Sequence, residues 1–127
     1  QQGKGTCSAC ISYTLSPVHN NEYFAKYAKT LEEMGADSIC IKDMAGLLKP
    51  YTCAELVSEL KKTVSIPVDI HSHYTAGLAS MSILKGIEAG ADIVDTAMSP
   101  LLWALPICRP KAWSPPCRAP IMTPALT

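Results

Sequence analysis

The sequence predicts an α/β fold in which parallel strands alternate with helices, either as an open sheet or as a (β/α) barrel. Short apolar runs of strand length alternate with longer stretches of helical periodicity, in units of about 25 to 30 residues. Met-Gly-Ala-Asp at residues 34–37 and Ala-Gly-Ala-Asp at residues 89–92 are near copies, and each leads into an apolar run. These runs end on polar residues, which is where parallel-sheet enzymes place their sites.

The first strand and helix are predicted in the first third of the chain. Residues 10–14 have a strand pattern, and Asn20 or Asn21 provides a cap for a helix that Gly35 ends. This helix is expected to bury the apolar residues that recur at helical spacing, namely Tyr23, Tyr27, Leu31 and Met34. A second strand is predicted at residues 38–42.

The next units repeat this order. Pro50 suits the first turn of a helix that buries Leu56, Val57 and Leu60, and Ile66-Pro67 interrupts the helical pattern. Residues 68–71 are then a strand. A third helix is predicted over residues 77–89, with a buried side made of Leu78, Met81, Ile83, Leu84 and Ile87. Residues 92–96 form the last predicted strand.

Composition indicates one small globular protein without affinity for polyanions. The chain has 127 residues, 48% of them apolar, and no net charge, which argues against binding to nucleic acid or an anionic membrane. Its apolar runs are too short to cross a bilayer and no signal peptide is evident, so a cytoplasmic location is expected. Cys40 and Cys53 lie in apolar segments and are expected to be buried free thiols, whereas Cys7 and Cys10 form only a weak C-x-x-C motif.

Two predicted strand ends carry residues that suit a metal site. His71 and His73 lie two apart on a strand, so their rings share a face and can reach one cation. The preceding strand ends on Lys42 and Asp43, and carboxyl ends of neighbouring parallel strands meet at one edge. The alternative is that both histidines are hydrogen-bonded scaffold groups and that Lys42 only extends from a strand end into water.

Four segments in order resemble the carboxyltransferase domain of biotin-dependent enzymes. They read Ser-Tyr-Thr-Leu-Ser-Pro-Val-His at residues 12–19, Ile-Lys-Asp-Met-Ala-Gly-Leu-Leu at residues 41–48, His-Ser-His-Tyr-Thr-Ala-Gly at residues 71–77 and Asp-Thr-Ala-Met-Ser-Pro at residues 95–100. The likeness is nearest to the oxaloacetate decarboxylase alpha subunit and to the carboxyltransferase subunit of two-subunit pyruvate carboxylases. It implies a partial (β/α)8 TIM barrel over residues 10–100 that covers roughly strands four to seven.

The resemblance also implies a catalytic metal centre. Lys42 would carry a carbamate, and this group would bind a divalent metal (Zn, Mn, Co or Mg) together with His71 and His73. The modification is chemically necessary, because an ammonium group cannot bind a cation whereas a carbamate oxygen can. The residues that would line the substrate are Asp43, Tyr74, Thr75 and Thr96.

The implied reaction moves a carboxyl group between biotin and pyruvate or oxaloacetate. The metal would hold the keto oxygen and stabilise the negative charge of the enolate, while a carrier domain or subunit supplies biotin. Intact family members are expected to oligomerise. Hydroxymethylglutaryl-CoA lyases and homocitrate synthases share His-x-His but lack the Lys-Asp-Met of the preceding strand. An acyl-CoA lyase or aldolase is therefore the alternative enzyme.

The chain also departs from the family pattern. Three earlier strands and one later strand have no counterpart in the sequence, nor has the aspartate that ligates the metal in the family. We therefore expect a fragment that alone has little or no activity, and an inactive gene remnant is the non-enzymatic alternative.

Residues 101–127 are predicted to be an irregular tail. Seven of the ten prolines, both tryptophans and no acidic residue occur from Pro100 onward. After a shift of one base, residues 103–106 can be read as Met-Gly-Thr-Ser and residues 112–119 as Ser-Met-Val-Ala-Ala-Leu-Gln-Gly, which are family motifs. The tail is thus expected to be an out-of-frame translation.

Overall fold

Strand and helix alternate throughout residues 5–96, the part of the chain that the computed structural model describes. The strands are β1 (Ser8–Ser12), β2 (Ser38–Asp43), β3 (Val68–Ser72) and β4 (Ile93–Val94), and the helices are α1 (Asn21–Glu33), α2 (Pro50–Thr63) and α3 (Ala79–Glu88). All strand pairs are parallel, in the order β1-β2-β3-β4. The predicted α/β class is confirmed. The predicted tail lies outside the described residues.

The sheet has one apolar face, covered by the helices, and one polar face. Alternate residues of the two central strands lie on the apolar face and are at most 2% exposed, namely Ile39, Ile41, Val68 and Ile70. They form a single core with the buried residues of all three helices. The intervening residues of the same strands, including Lys42 and His71, therefore point to the other face. Right-handed crossovers between successive parallel strands place the helices on one side in this way.

α1 and α2 begin where the capping residues predict, whereas α3 begins at Ala79, two residues after its predicted start at residue 77. The Asn20 side chain accepts a hydrogen bond from the Tyr23 amide at 2.8 Å, and Gly35 follows α1 with a φ of 98°. Pro50 is the first residue of α2, which buries the predicted stripe of Leu56, Val57 and Leu60. None of the helices within residues 5–96 has the length and apolarity needed to span a membrane.

The predicted buried faces of α1 and α3 were partly wrong. Tyr23 and Tyr27 are 40% and 45% exposed, and α1 instead buries Phe24, Ala25 and Ala28. The small alanines let α1 pack closely against its neighbours, while the tyrosines stack on each other outside, with ring centroids 6.3 Å apart. In α3, Ile83 is buried as predicted, whereas Leu78 and Met81 are exposed. Because neighbouring residues on a helix differ by only 100° in direction, apolar spacing alone did not identify the buried stripe.

The repeated Gly-Ala-Asp segments end a helix and lead into the next strand in the same manner. Asp37, just before β2, accepts a hydrogen bond from the Cys7 amide at 2.7 Å. Asp92, just before β4, accepts one from the Val68 amide at 2.8 Å. Each aspartate thus accepts a hydrogen bond from the amide at the beginning of the preceding strand. The repeat in the sequence therefore corresponds to a repeated contact between neighbouring strands.

The outer strands differ from their predicted bounds. β1 was predicted at residues 10–14 and is observed at Ser8–Ser12, although the Tyr13 amide still donates to the Lys42 carbonyl at 2.8 Å. β4 was predicted at residues 92–96 and contains only Ile93–Val94. β4 is an outer strand of the described sheet. Only one described neighbour, β3, therefore provides the hydrogen bonds that define its length.

Glu32 joins the end of α1 to the loop before β3. Its carboxylate accepts hydrogen bonds from Lys29 Nζ at 2.7 Å and from the Ser65 amide at 2.9 Å, and also from the Ser65 hydroxyl. These bonds, first that from Lys29 and then those from Ser65, lower the pKa of Glu32 from its ordinary 4.5 to about 2. Because the folded pKa lies below the unfolded one, this stabilisation is complete above the unfolded pKa and is lost as the pH falls toward the folded one.

We expect Glu32→Gln to reduce the loss of stability of the 127-residue chain between about pH 5 and about pH 2. The measurement is urea unfolding across this range. Glu33→Gln, at the exposed neighbouring glutamate, is the matched control and should keep the acid dependence of the unsubstituted chain. Equal acid dependence in the Glu32→Gln variant and the unsubstituted chain would contradict the assignment.

Candidate metal centre at the carboxyl end of the sheet

His71 and His73 bring two ring nitrogens together at the end of β3. Their Nε2 atoms lie 3.2 Å apart, and the ring centroids are separated by 5.0 Å. Two ligands of a tetrahedral zinc ion with bonds of about 2.0 Å stand about 3.3 Å from each other. The observed separation matches that of two ligands on one cation, and it is also that of a hydrogen bond between the two rings.

Asp95, which follows β4, orients the ring of His71. Its Oδ2 lies 2.7 Å from His71 Nδ1. Because an ionised carboxylate only accepts hydrogen bonds, Nδ1 carries the hydrogen, and the neutral ring then keeps its lone pair on Nε2. Metal-binding histidines are commonly fixed by a carboxylate in this way. No sequence pattern indicates this contact, since only the pairing of β3 with β4 brings the two residues together.

Lys42 stands beside His71 on the polar face. The two residues are register partners in the parallel pairing of β2 with β3, so their side chains leave the same face of neighbouring strands about 4.8 Å apart. Lys42 takes part in none of the salt bridges within residues 5–96. The structure thus brings the three predicted metal ligands to one edge and one face of the sheet.

Asp43 lies on the opposite face from Lys42. Its side chain is 2% exposed, Oδ1 accepts from the Leu47 amide at 2.9 Å, and Oδ2 accepts from the Leu48 amide at 3.1 Å. The predicted role for Asp43 was contact with substrate. The observed hydrogen bonds favour a structural role instead, because both oxygens hold the loop that leads to α2.

The loops after β2 and β3 pack against each other at the same edge. A Cβ added to Gly46, whose φ is 70°, would lie 2.7 Å from the Ala76 amide nitrogen, so the loops approach too closely for a side chain there. Thr75 is exposed, and its hydroxyl donates to the Met44 carbonyl at 3.4 Å. Tyr74 adopts a φ of 61°, which is unusual for a bulky residue.

The other predicted substrate-lining residues lie in or near these loops. Tyr74 is half-buried against the core, and its hydroxyl accepts a hydrogen bond from Ser80 at 3.2 Å. Thr96 is exposed and directly follows Asp95. Tyr74 and Thr75 thus lie in the segment that follows His73, and Thr96 lies in the segment that follows β4.

The donor set fits a divalent cation. Two imidazole nitrogens at ligand spacing, one of them oriented by a carboxylate, suit zinc, cobalt or manganese. Lys42 completes such a set only in a carbamylated form, since its ammonium group repels a cation.

The polar face is also lined by the buried groups Cys40 and Asp69, which lie two residues before Lys42 and His71 on their strands. Burial, followed by the negative charge of Asp95, raises the pKa of the Asp69 carboxyl above its ordinary range. Burial and then the charge of Asp69 raise the pKa of the Cys40 thiol. Cys40 and Cys53 are buried and free, which confirms the expectation for both.

These features coincide with a known family. A family model described as HMGL-like matches residues 8–101, and the chain therefore belongs to the HMGL-like family. The parallel sheet, its one-sided cover of helices and the polar residues at the strand ends are thus part of a family architecture.

The similar proteins are carboxylases and carboxyltransferases. A pyruvate carboxylase subunit of Methanocaldococcus jannaschii is 63% identical over 90 residues, which is 71% of this chain and 16% of that protein. The methylmalonyl-CoA carboxyltransferase 5S subunit of Propionibacterium freudenreichii is 47% identical over 91 residues, which is 70% of this chain and 18% of that protein. The resemblance drawn from the sequence motifs is confirmed.

A solved structure shows the same fold. The carboxyl transferase domain of Rhizobium etli pyruvate carboxylase, determined with pyruvate, matches with a TM-score of 0.73 and 39% identity over 76% of this chain and 17% of that chain. The same domain has also been solved with pyruvate and biocytin together. This chain therefore spans less than a fifth of the length of these relatives.

Because both oxygens of Asp43 hold backbone amides, we expect Asp43→Ala to lower the free energy of unfolding by about 2 to 4 kcal/mol. Asp43→Asn should cost less, since its amide oxygen keeps one acceptor. Urea unfolding measures both, and Glu55→Ala at the exposed surface of α2 is the control, with a change within about 0.5 kcal/mol. An Asp43→Ala variant as stable as this control would show that the loop does not depend on the carboxylate.

Proposed function

We propose that this chain is a segment of the carboxyltransferase component of a biotin-dependent enzyme that moves a carboxyl group between biotin and pyruvate or oxaloacetate. The observation that carries the proposal is the pairing of Lys42 with His71, whose Nε2 lies 3.2 Å from that of His73. The identity to a pyruvate carboxylase subunit and to a carboxyltransferase 5S subunit supports this reaction class.

Lys42 is the residue that would distinguish carboxyl transfer from an acyl-CoA lyase or aldolase activity. Its neutral amine attacks the carbon of CO2, the nitrogen loses a proton to water, and the resulting carbamate offers anionic oxygen ligands beside His71. His71 and His73 contribute their Nε2 lone pairs, and Asp95 keeps the His71 ring in the required tautomer. A divalent cation held there supplies Lewis-acid stabilisation of the negative charge that develops on a 2-oxo acid.

The surrounding loops would bind the rest of the substrate. Thr75 and Thr96 are exposed at the carboxyl end of the sheet. The hydroxyl of Thr96 can donate to a substrate carboxylate, and that of Thr75 can do so in place of its hydrogen bond to the Met44 carbonyl. Tyr74 is positioned by Ser80 and by its unusual backbone conformation.

A biotin carrier domain or subunit is the proposed partner, as the biocytin bound to the Rhizobium etli domain suggests. The free thiols of Cys7, Cys10, Cys40 and Cys53 favour a reducing, cytoplasmic location.

An acyl-CoA lyase or aldolase of the same barrel group is the alternative activity. The His-x-His pair at residues 71–73 is compatible with both activities. Lys42 favours carboxyl transfer, because those lyases lack the Lys-Asp-Met motif of the preceding strand. The lyase alternative predicts cleavage of an acyl-CoA substrate without biotin and without any modification of Lys42.

A chimera tests the proposed function. In it, residues 8–96 replace the matching segment of the Methanocaldococcus jannaschii pyruvate carboxylase subunit, because the 127-residue chain alone is expected to lack carboxyl transfer activity. We expect biotin-dependent carboxylation of pyruvate, and a loss of about 100-fold or more with Lys42→Ala, His71→Gln or His73→Gln. Lys85→Ala, at a surface lysine paired with Glu88, is the matched control. Full activity in the Lys42→Ala chimera would refute the role of the carbamate.

We further propose that residues 101–127 are translated out of frame. The family match ends at residue 101, where the change of composition begins. The coding DNA decides this: a one-base shift should produce Met-Gly-Thr-Ser from the codons of residues 103–106. Codons that cannot produce this motif would contradict the proposal.

A further inference from the structure

The polar face of the sheet carries a second group of ligand-type side chains, distinct from the histidine pair. Cys10, Cys40 and Asp69 lie side by side on β1, β2 and β3, because Cys10 pairs with Cys40 and Cys40 pairs with Asp69. On β2 and β3 this row lies two residues before Lys42 and His71. Cys40 and Asp69 are only 4% and 9% exposed. A buried free thiol is common, but a carboxylate buried on this polar face requires an explanation, since Asp is almost never fully buried unless it is paired.

Three ligand atoms converge at this position. The Cys40 Sγ, one carboxylate oxygen of Asp69 and one of Asp95 all lie within 4.8 Å of one another. Sulfur and oxygen ligands of one zinc ion, with bonds of about 2.3 Å and about 2.0 to 2.2 Å, stand somewhat closer than this. The Asp95 side chain is 49% exposed and can move inward, which shortens the distance from its carboxylate oxygen to the other two ligand atoms.

One oxygen of this group lacks a partner. Asp69 Oδ1 is buried and accepts no hydrogen bond from any residue of the described range 5–96. The Asp69 carboxylate interacts with the Cys40 thiol, but it also lies near the charge of Asp95, which opposes its ionisation. A buried carboxylate oxygen without a donor, next to a second carboxylate, lacks the positive charge that would stabilise it.

We propose that Cys40, Asp69 and Asp95 form a binding site for a thiophilic divalent cation such as Zn²⁺, separate from the centre at His71 and His73. On binding, the Cys40 S–H bond breaks, its proton leaves to water, and a sulfur–metal bond forms. The thiolate and the two carboxylates together carry three negative charges against the two positive charges of the cation, and a water molecule takes the fourth position. The thiolate selects zinc over magnesium or calcium, which prefer oxygen ligands alone.

Asp95 connects this site to the histidine pair. Its Oδ2 accepts the hydrogen bond of His71, and one of its two carboxylate oxygens lies within 4.8 Å of the ligand atoms of Cys40 and Asp69. Its exposed side also provides the entry path that the buried Cys40 and Asp69 lack. The carboxylate therefore serves as a bridge between the two groups.

Titration of the purified 127-residue chain with Co²⁺ tests the site, because a cobalt–thiolate bond gives a charge-transfer absorption in the near ultraviolet that imidazole and carboxylate ligands do not produce. We expect this absorption to saturate at one Co²⁺ per chain. Cys40→Ser should abolish it, and Asp69→Asn, which preserves shape, should weaken Co²⁺ affinity by about tenfold or more. Far-ultraviolet circular dichroism establishes that each variant retains its helices.

Matched variants assign the absorption to this cluster. Cys10→Ser and a variant with serine at Cys7, Cys108 and Cys117 should keep it. His73→Gln should also keep it, since that residue belongs only to the proposed catalytic centre, so this inference and the proposed function can fail independently. Absence of the absorption from the unsubstituted chain, or its persistence in Cys40→Ser, would overturn the inference. Loss of it in His73→Gln would likewise show that no separate site exists.

Discussion

The register between β2 and β3 is the constraint on which the candidate metal centre depends. Lys42 and His71 are partners in this pairing and leave the same face of the sheet. A slip of one residue would turn Lys42 toward the helices and present Asp43 in its place. The isoleucines and valine of the two strands prevent this slip, because they fill the core under the helices and cannot exchange places with charged side chains. Apolar packing on one face thereby determines the chemistry of the other.

The Gly-Ala-Asp segments show how local sequence serves long-range structure. Each glycine ends a helix in the left-handed conformation, with φ of 98° at Gly35 and 103° at Gly90. Each aspartate then accepts a hydrogen bond from the amide at the beginning of the preceding strand, as Asp37 does for Cys7 and Asp92 for Val68. One short segment therefore stops a helix, begins a strand and aligns it with its neighbour. The unit occurs before β2 and before β4, whereas β3 follows Ile66-Pro67 instead.

The polar face combines two layers of ligand-type residues. The upper layer holds Lys42 and the histidine pair, and the lower layer holds Cys40 and Asp69. Asp95 reaches both layers, since it contacts His71 and lies near Asp69. The carboxyl end of the sheet therefore forms a continuous network of titratable groups, in which the orientation of one histidine depends on a residue of the next strand.

The sequence by itself determined the order of strands and helices, the start of α2 at Pro50 and the family, because these depend on local spacing and on motifs read along the chain. It narrowed the cap of α1 to Asn20 or Asn21, and it predicted a metal site from the His-x-His spacing. It also indicated that Cys40 and Cys53 would be buried. Only the tertiary structure decided that α1 buries Phe24, Ala25 and Ala28 and leaves its tyrosines outside, and that Asp43 holds a loop. It likewise decided that Asp95 orients His71. Residues far apart in sequence make these contacts, and their distances and directions are set only when the strands pair and the helices pack.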